Sequence, residues 1–187
     1  DGSTTFVDSS PSGHTITTGG GMDHSTTKAK FGATSIHNDG TSDYLSISDS
    51  DDWDFGSGDF TIDFWIYPVD TGQWYEVINQ GWTSGDDSFL IGIDFETTNK
   101  LQFLYTTDGS TDIATGYTGA ISTTSWTHIA VVRNSTTIKT YRNGVEEVSY
   151  SAGSDTIYNS SESLYVGLRE TGGGFGAQGY IDEIRIS

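Results

Sequence analysis

The sequence predicts an all-β fold, an antiparallel two-sheet β-sandwich of the jelly-roll type. Short segments with apolar residues at every second position recur at roughly ten-residue spacing, which is typical of sandwiches and barrels. Gly, Ser and Thr are abundant between these segments, and only two prolines occur. No stretch shows a convincing helical repeat. These observations favour packed β-sheets over a helical architecture.

Residues 59–68 give the clearest strand pattern. One face of this segment is apolar and carries Phe60, Ile62, Phe64 and Ile66. The other face mixes polar and aromatic side chains and carries Thr61, Asp63, Trp65 and Tyr67. Alternation with period two indicates a β-strand, and Pro68 ends it because proline lacks a backbone donor. We therefore expect a central strand whose apolar face lies in the core between the sheets.

The other predicted strands follow from the same alternation. They span residues 6–8, 31–38, 44–47, 74–78, 89–95, 101–105, the neighbourhood of Tyr117, 126–133, 138–142, 145–150, 163–168 and 180–186. Residues 126–133 are almost continuously apolar, which predicts a strand covered on both faces. Asn143-Gly144 separates two strand patterns and predicts a tight hairpin, since both turn positions favour positive φ.

Charge and composition exclude several kinds of partner. The 187 residues carry a formal net charge of -18, from 26 acidic and 8 basic side chains, so a basic surface for nucleic acid or anionic membrane is not expected. No run approaches the ~20 apolar residues that span a bilayer. No cysteine is present. The length suits one domain over residues 1–187, and the start at Asp1 suggests part of a larger or processed protein.

A series of landmarks along the chain resembles one known group. They are Asp8-Ser9-Ser10, Gly13-His14, Phe31-Gly32, Asp39-Gly40, Asp43-Tyr44-Leu45, Gly58-Asp59-Phe60-Thr61-Ile62 with Trp65, Trp126-Thr127-His128-Ile129-Ala130, Tyr141-Arg142-Asn143-Gly144 and Gly179-Tyr180-Ile181-Asp182-Glu183-Ile184-Arg185-Ile186. Their order resembles the laminin-G-like domains of the concanavalin A-like lectin/glucanase superfamily. The resemblance implies two curved sheets with one concave face, terminal strands lying side by side and, in many relatives, a calcium ion.

Glucanases of this superfamily carry a Glu-x-Asp-x-x-Glu run on one strand of the concave face, and this sequence has no such run. Asp94 and Glu96 have the spacing of same-face residues, but turn residues follow them. We therefore expect a non-catalytic module. A hydrolase or lyase whose carboxylates come from different strands stays an alternative.

Calcium is the expected cofactor, because hard cations bind carboxylate and turn carbonyl oxygens. Asp8 and Asp182 would approach each other if the terminal strands paired, and the Asp39-Gly40 turn would complete the site. The acidic loop with Asp49, Asp51, Asp52 and Asp54 is a rival, although a solvated run of charges explains it as well. None of the four histidines has metal-ligand spacing with another.

Loop aromatics are the candidates for sugar binding, because an aromatic face stacks on a pyranose ring. The expected ligand surface comprises Trp74, Tyr75, Trp82, Asp86, Asp87 and Phe175. We thus expect a carbohydrate-binding or adhesive module of a larger extracellular or virion-surface protein, with a glycan or cell-surface polysaccharide as partner and no membrane insertion. The alternative in another functional class is a structural or protein-interaction spacer.

Overall fold

A computed structural model describes residues 2–69, 72, 74–82, 85–96, 98–168, 176 and 178–187. The strands are β1 (Ile16–Gly19), β2 (Asp23–Ser25), β3 (Ser35–Asn38), β4 (Tyr44–Ile47), β5 (Phe60–Pro68), β6 (Trp74–Gln80), β7 (Phe89–Asp94), β8 (Lys100–Tyr105), β9 (Ile113–Ala120), β10 (Thr127–Asn134), β11 (Thr137–Arg142), β12 (Val145–Ser151), β13 (Leu164–Val166) and β14 (Gly179–Ile186). A short 3-10 helix, Asp51–Trp53, precedes β5. None of these described segments is a helix long and apolar enough to cross a membrane.

The strands form two antiparallel sheets of seven strands each, so the predicted all-β sandwich is confirmed. Sheet I has the order β1-β4-β13-β6-β7-β8-β9. Sheet II has the order β12-β11-β10-β5-β14-β3-β2. The inward side chains of both sheets share one core, in which Phe60 of sheet II lies 6.0 Å from Phe103 of sheet I between ring centroids.

β5 is the central strand of sheet II, as its alternation predicts. It pairs with β10 on one side and β14 on the other. Its apolar residues point inward and are at most 3% exposed. Burying such side chains contributes roughly 1.5–3 kcal/mol each, which makes this face a main source of stability.

β10 differs from its prediction. Ile129 and Val131 are buried, whereas His128, Ala130 and Val132, which alternate with them, are half-buried. The prediction of a strand covered on both faces is wrong because only the inward face of sheet II packs against another sheet. The hairpin of β11 and β12 is confirmed, with Asn143 at φ 52° and Gly144 at φ 78°.

The expected pairing of terminal strands is also wrong. β3 and β5 occupy the two edges of β14, and residues 6–8 form no strand. The segment is held instead by side chains. The Asp8 carboxylate accepts hydrogen bonds from the Ser10 amide at 2.8 Å and the His14 amide at 2.7 Å, and His14 lies 2.8 Å from Asp52.

Arg133 is an inward-facing residue of β10 and is 2% exposed. Its guanidinium donates to the carbonyls of Ser135 at 3.2 Å, Gly56 at 3.2 Å and Asp155 at 2.7 Å. A buried cation is tolerated when its donors are satisfied in this way. Arg133 therefore ties three loops to the same end of the sandwich.

Replacing Arg133 by Leu should lower the free energy of unfolding by roughly 3 kcal/mol, because three partly buried hydrogen bonds from a charged donor are lost. Urea denaturation followed by circular dichroism measures this loss. Lys139→Leu on the neighbouring strand is the matched control and should leave the midpoint almost unchanged, since Lys139 pairs with Glu146 at the surface. Equal midpoints for the two variants would contradict the structural role of Arg133.

Candidate functional site

The outward face of sheet I carries polar side chains that are buried. Glu76, Asn79 and Gln102 point outward from its central strands but are only 0–7% exposed. The outward residues Trp65 and Tyr67 of sheet II are half-buried. We call this part of the outward face of sheet I, where polar side chains are buried, the recessed face.

Trp74 lies on this recessed face at the start of β6. Its indole packs closely against Gly92 of β7, because a Cβ atom placed on Gly92 would come within 2.4 Å of Trp74 Cζ2. Only glycine leaves room for the ring at this point. Trp74 itself is half-buried, so part of the indole remains accessible.

Polar and aromatic side chains surround the indole in two neighbouring rungs of the sheet. Trp74, Asp94 and Lys100 are paired across β6, β7 and β8. In the next rung Gly92 is followed by Gln102 and then by Tyr117, which is 45% exposed. Cross-strand partners point to the same face. We call the surface formed by Trp74, Asp94, Lys100, Gln102 and Tyr117 the Trp74 surface.

The Trp74 surface combines aromatic and polar side chains across three neighbouring strands and the edge strand β9. Gly92 and Tyr117 are two strands apart, or roughly 10 Å. An aromatic ring therefore stands on each side of the Gln102 amide. Asp94 supplies an acceptor, held by the Thr98 hydroxyl at 3.0 Å, and Lys100 supplies a donor.

Two further polar side chains lie deeper on the same face. The Asn79 amide nitrogen is 3.5 Å from a Glu76 carboxylate oxygen. Among the described residues, no donor reaches the Asn79 side-chain oxygen. A buried acceptor of this kind is usually satisfied by water or another group. The base of the recessed face can therefore take a hydrogen bond from outside the described protein atoms.

The structure separates the ligand residues predicted from sequence. Trp74 begins β6 and Trp82 follows its end, so a strand of seven residues and roughly 23 Å lies between them. Tyr75 points into the core, 2% exposed, with its ring 5.2 Å from that of Phe95. Phe175 lies outside the described residues. The participation of these residues in ligand binding stays a prediction.

Asp86 and Asp87 fasten the loop that carries Trp82. The Asp86 carboxylate accepts from the Ser161 hydroxyl at 2.8 Å. The Asp87 amide donates to the Gly109 carbonyl at 3.0 Å, and the Asp87 carbonyl accepts from the Thr106 hydroxyl. In the described structure both residues connect loops at the far end of β6 from Trp74.

Sequence reasoning missed four residues that complete the Trp74 surface: Gly92, Lys100, Gln102 and Tyr117. Alternation along β7 and β8 places Gly92 and Gln102 outward. It does not show which residues of neighbouring strands are paired, because β6 and β9 contain register shifts. Asp94 was considered only as a possible catalytic carboxylate.

The three predicted calcium ligands do not fit one shared site. Hydrogen bonds from Ser10 lower the pKa of Asp8, whose carboxylate closes its own turn. Asp39 accepts from the Thr41 amide at 2.8 Å, and Asp182 accepts from the Lys30 amide at 2.9 Å. Across the described ranges, no group of three or more His, Cys, Asp or Glu is placed to hold a metal ion. Calcium binding stays a prediction.

A comparison with family models identifies residues 39–187 as concanavalin A-like lectin/glucanase sequence. The chain belongs to the concanavalin A-like lectin/glucanase superfamily. This confirms the resemblance seen in the sequence landmarks. A sequence comparison with curated proteins gives no significant match.

Solved structures with a similar fold include a domain of an enzyme and a binding domain. Domain 4 of AbnA, an extracellular GH43 arabinanase from Geobacillus stearothermophilus solved with arabinotriose, has a TM-score of 0.68 at 21% identity, over 93% of this chain and 81% of that one. The binding domain of Paraclostridial Mosquitocidal Protein 1 has a TM-score of 0.73 at 22% identity, over 96% of this chain and 45% of that one.

A structure of botulinum neurotoxin type C, whose cell entry is described as dependent upon interaction with two ganglioside molecules, has a TM-score of 0.71 at 17% identity. The match covers 97% of this chain and 45% of the toxin chain. This chain therefore spans less than half of the toxin domains that it matches. At these identities the likeness concerns the fold.

The loop beside Asp87 carries Asp108, a carboxyl group with a lowered pKa. Hydrogen bonds from the Thr111 amide and hydroxyl and the Ser110 amide lower the pKa of Asp108 to about 2. A lowered carboxyl pKa stabilises the folded protein above the ordinary aspartate pKa, near 4. That stabilisation is lost as the pH falls toward 2.

We expect Asp108→Asn to weaken the fall of the melting temperature between pH 4 and pH 2, because it removes one carboxyl with a lowered pKa. Melting curves at half-unit pH steps measure the change. Asp112→Asn, at an exposed position of the same loop, is the matched control. Indistinguishable pH profiles for wild type and Asp108→Asn would contradict the assignment.

Proposed function

We propose that this chain is a non-catalytic carbohydrate-binding module that binds a saccharide on the Trp74 surface. One observation carries the proposal: the half-buried Trp74 indole packs against Gly92 on the outward face of sheet I, beside Asp94, Lys100 and Gln102. An aromatic face packs against the C–H face of a sugar ring. Nearby carboxylate, ammonium and amide groups bond to its hydroxyls.

The charge of the chain favours this ligand class over nucleic acid. A net charge of -18 opposes binding to a polyanion, whereas hydroxyl groups need only paired donors and acceptors. The similar structures give further support, since one is solved with arabinotriose and another is described as dependent on gangliosides. We infer an extracellular or surface setting from the same neighbours, within a larger protein.

The absence of a catalytic pair on β7 supports a binding role. The outward positions of this strand are Leu90, Gly92 and Asp94, so β7 supplies one carboxylate to the recessed face. Among the described strand residues, Glu76 on β6 is the second carboxylate nearest to Asp94 by strand register, but it is 3% exposed. Glu96 lies in the turn after β7, outside the strand. Glycoside hydrolysis needs two carboxyl groups that both reach the bond to be cleaved.

Trp74→Ala should lower affinity for the bound oligosaccharide at least tenfold, because it removes the stacking ring, an effect of ~1.4 kcal/mol. A glycan array identifies the ligand, and isothermal titration calorimetry with that oligosaccharide measures the affinity. Trp82→Ala is the matched control and should retain affinity. A loss confined to Trp82→Ala would place the site in the loops at the other end of β6.

Gly92→Val provides a second variant that leaves every proposed contact residue in place. Its side chain would displace the indole from the sheet, so affinity should fall as it does in Trp74→Ala. Unchanged melting temperatures and amide spectra separate loss of binding from loss of fold. Normal affinity in Gly92→Val would show that the position of Trp74 does not matter for binding.

A further inference from the structure

The outward face of sheet II carries a second group of aromatic side chains, on the opposite side of the sandwich from the Trp74 surface. Trp65 and Tyr67 point outward from β5. The segment between β2 and β3 lies over them. Lys30 Nζ is 3.9 Å from the centroid of the Trp65 ring, and Lys28 Nζ is 4.7 Å from that of Tyr67. These cation–π contacts hold the segment against the sheet.

The same segment holds Phe31 at the surface. Asp182 of β14, only 9% exposed, accepts hydrogen bonds from the backbone amides of Lys30 at 2.9 Å and Phe31 at 3.1 Å. The Phe31 ring remains 49% exposed and meets Trp65 edge to face at 5.9 Å. A buried carboxylate thus fixes the backbone of a large aromatic residue that stays accessible to solvent.

A shallow cleft of about 390 Å³ lies beside this ring, lined by Phe31, Trp65, Glu183 and Arg185. The cleft is largely open to solvent, so a ligand would contact it on one side. Arg185 donates to the Asp63 carboxylate at 2.7 Å, which fixes the guanidinium while leaving its other N–H groups available. Glu183 is exposed at the bulge of β14, with φ 52°. We call this site the Phe31 cleft.

We propose that the Phe31 cleft is a second saccharide-binding site, which takes an uncharged pyranose unit. The Phe31 ring stacks on the C–H face of the sugar, and Trp65 forms the floor. Glu183 accepts and Arg185 donates hydrogen bonds to neighbouring hydroxyls. Two cations lie at the cleft, Arg185 and Lys30, whose Nζ is 5.5 Å from the Phe31 ring centroid. The carboxylates of Glu183, Asp63 and Asp182 balance them, so the cleft has no excess positive charge to select an acidic sugar.

The Phe31 cleft and the Trp74 surface lie on opposite outer faces of the sandwich. The two sheets of a sandwich lie roughly 10 Å apart, so ligands on their outer faces cannot contact the same few sugar units. The module would therefore bind two chains, or two distant parts of one chain. Such bivalent binding raises retention on a polysaccharide beyond the affinity of either site.

Titration of the ¹⁵N-labelled protein with neutral gluco-, xylo-, arabino-, galacto- and mannotrioses tests the proposal. The chain has five tryptophans, and their indole N–H signals distinguish the two faces. The Trp65 signal should shift with at least one trisaccharide in wild type and in Trp74→Ala. Phe31→Ala should weaken that response at least tenfold and leave the Trp74 response unchanged, whereas Phe31→Tyr should retain both.

Val145→Ala is the matched control, since Val145 is an exposed apolar residue of the same sheet, on its edge strand β12. A Trp65 signal that responds to none of the trisaccharides while Trp74 responds would overturn this inference and leave the proposed function intact. Equal Trp65 responses in Phe31→Ala and wild type would also overturn it. If Trp74 alone fails to respond, the proposed site on sheet I is wrong and the Phe31 cleft stands.

Discussion

The packing of alternating strands around one shared core is the constraint on which the rest of this structure depends. β5 illustrates it, because every second side chain must enter the core and the residues between them must face outward. The core residues Ile62 and Phe64 are fully buried. A one-residue shift of register would exchange the two faces, so the inward pattern also fixes what the outer surface displays.

The two outer faces display different chemistry. On sheet I, Gly92 allows Trp74 to lie against the backbone, and polar groups collect in a recessed surface around it. On sheet II, the Trp65 ring is covered partly by Lys30 and flanked by Phe31. Each face combines aromatic rings with side chains that donate and accept hydrogen bonds. Both arrangements suit hydroxyl-rich ligands better than polyanions.

Many of the acidic side chains stabilise loops. Asp8 and Asp108 close turns, and Asp182 holds the segment that carries Phe31. Asp86 joins the loop after β6 to residue 161. Carboxylates that accept several backbone hydrogen bonds remain ionised at neutral pH. The high negative charge of the chain thus includes aspartates that have specific structural roles.

Local patterns were sufficient to predict the fold. The alternation in β5, the Asn143-Gly144 turn and the ordered landmarks indicated the sandwich, because backbone pleating and turn geometry depend on residues close in sequence. They were insufficient for β10, whose apolar run implied cover on both faces. Its outward residues lie at the surface of sheet II. Sequence does not show how many layers pack on a sheet, so this exposure could not be predicted.

The sequence by itself determined most of the strands and the family, and it singled out Trp74 as an aromatic residue outside the core. It missed β1 and β2 and placed a strand at residues 6–8, where none forms. The tertiary structure decided which residues accompany it. Gly92, Gln102 and Tyr117 are brought beside Trp74 by strand pairing and by bulges that shift the register. Trp82 and Asp86, although close to Trp74 in sequence, are carried to the opposite end of β6. An extended strand separates residues that are near in the chain, and sheet pairing joins residues that are far apart.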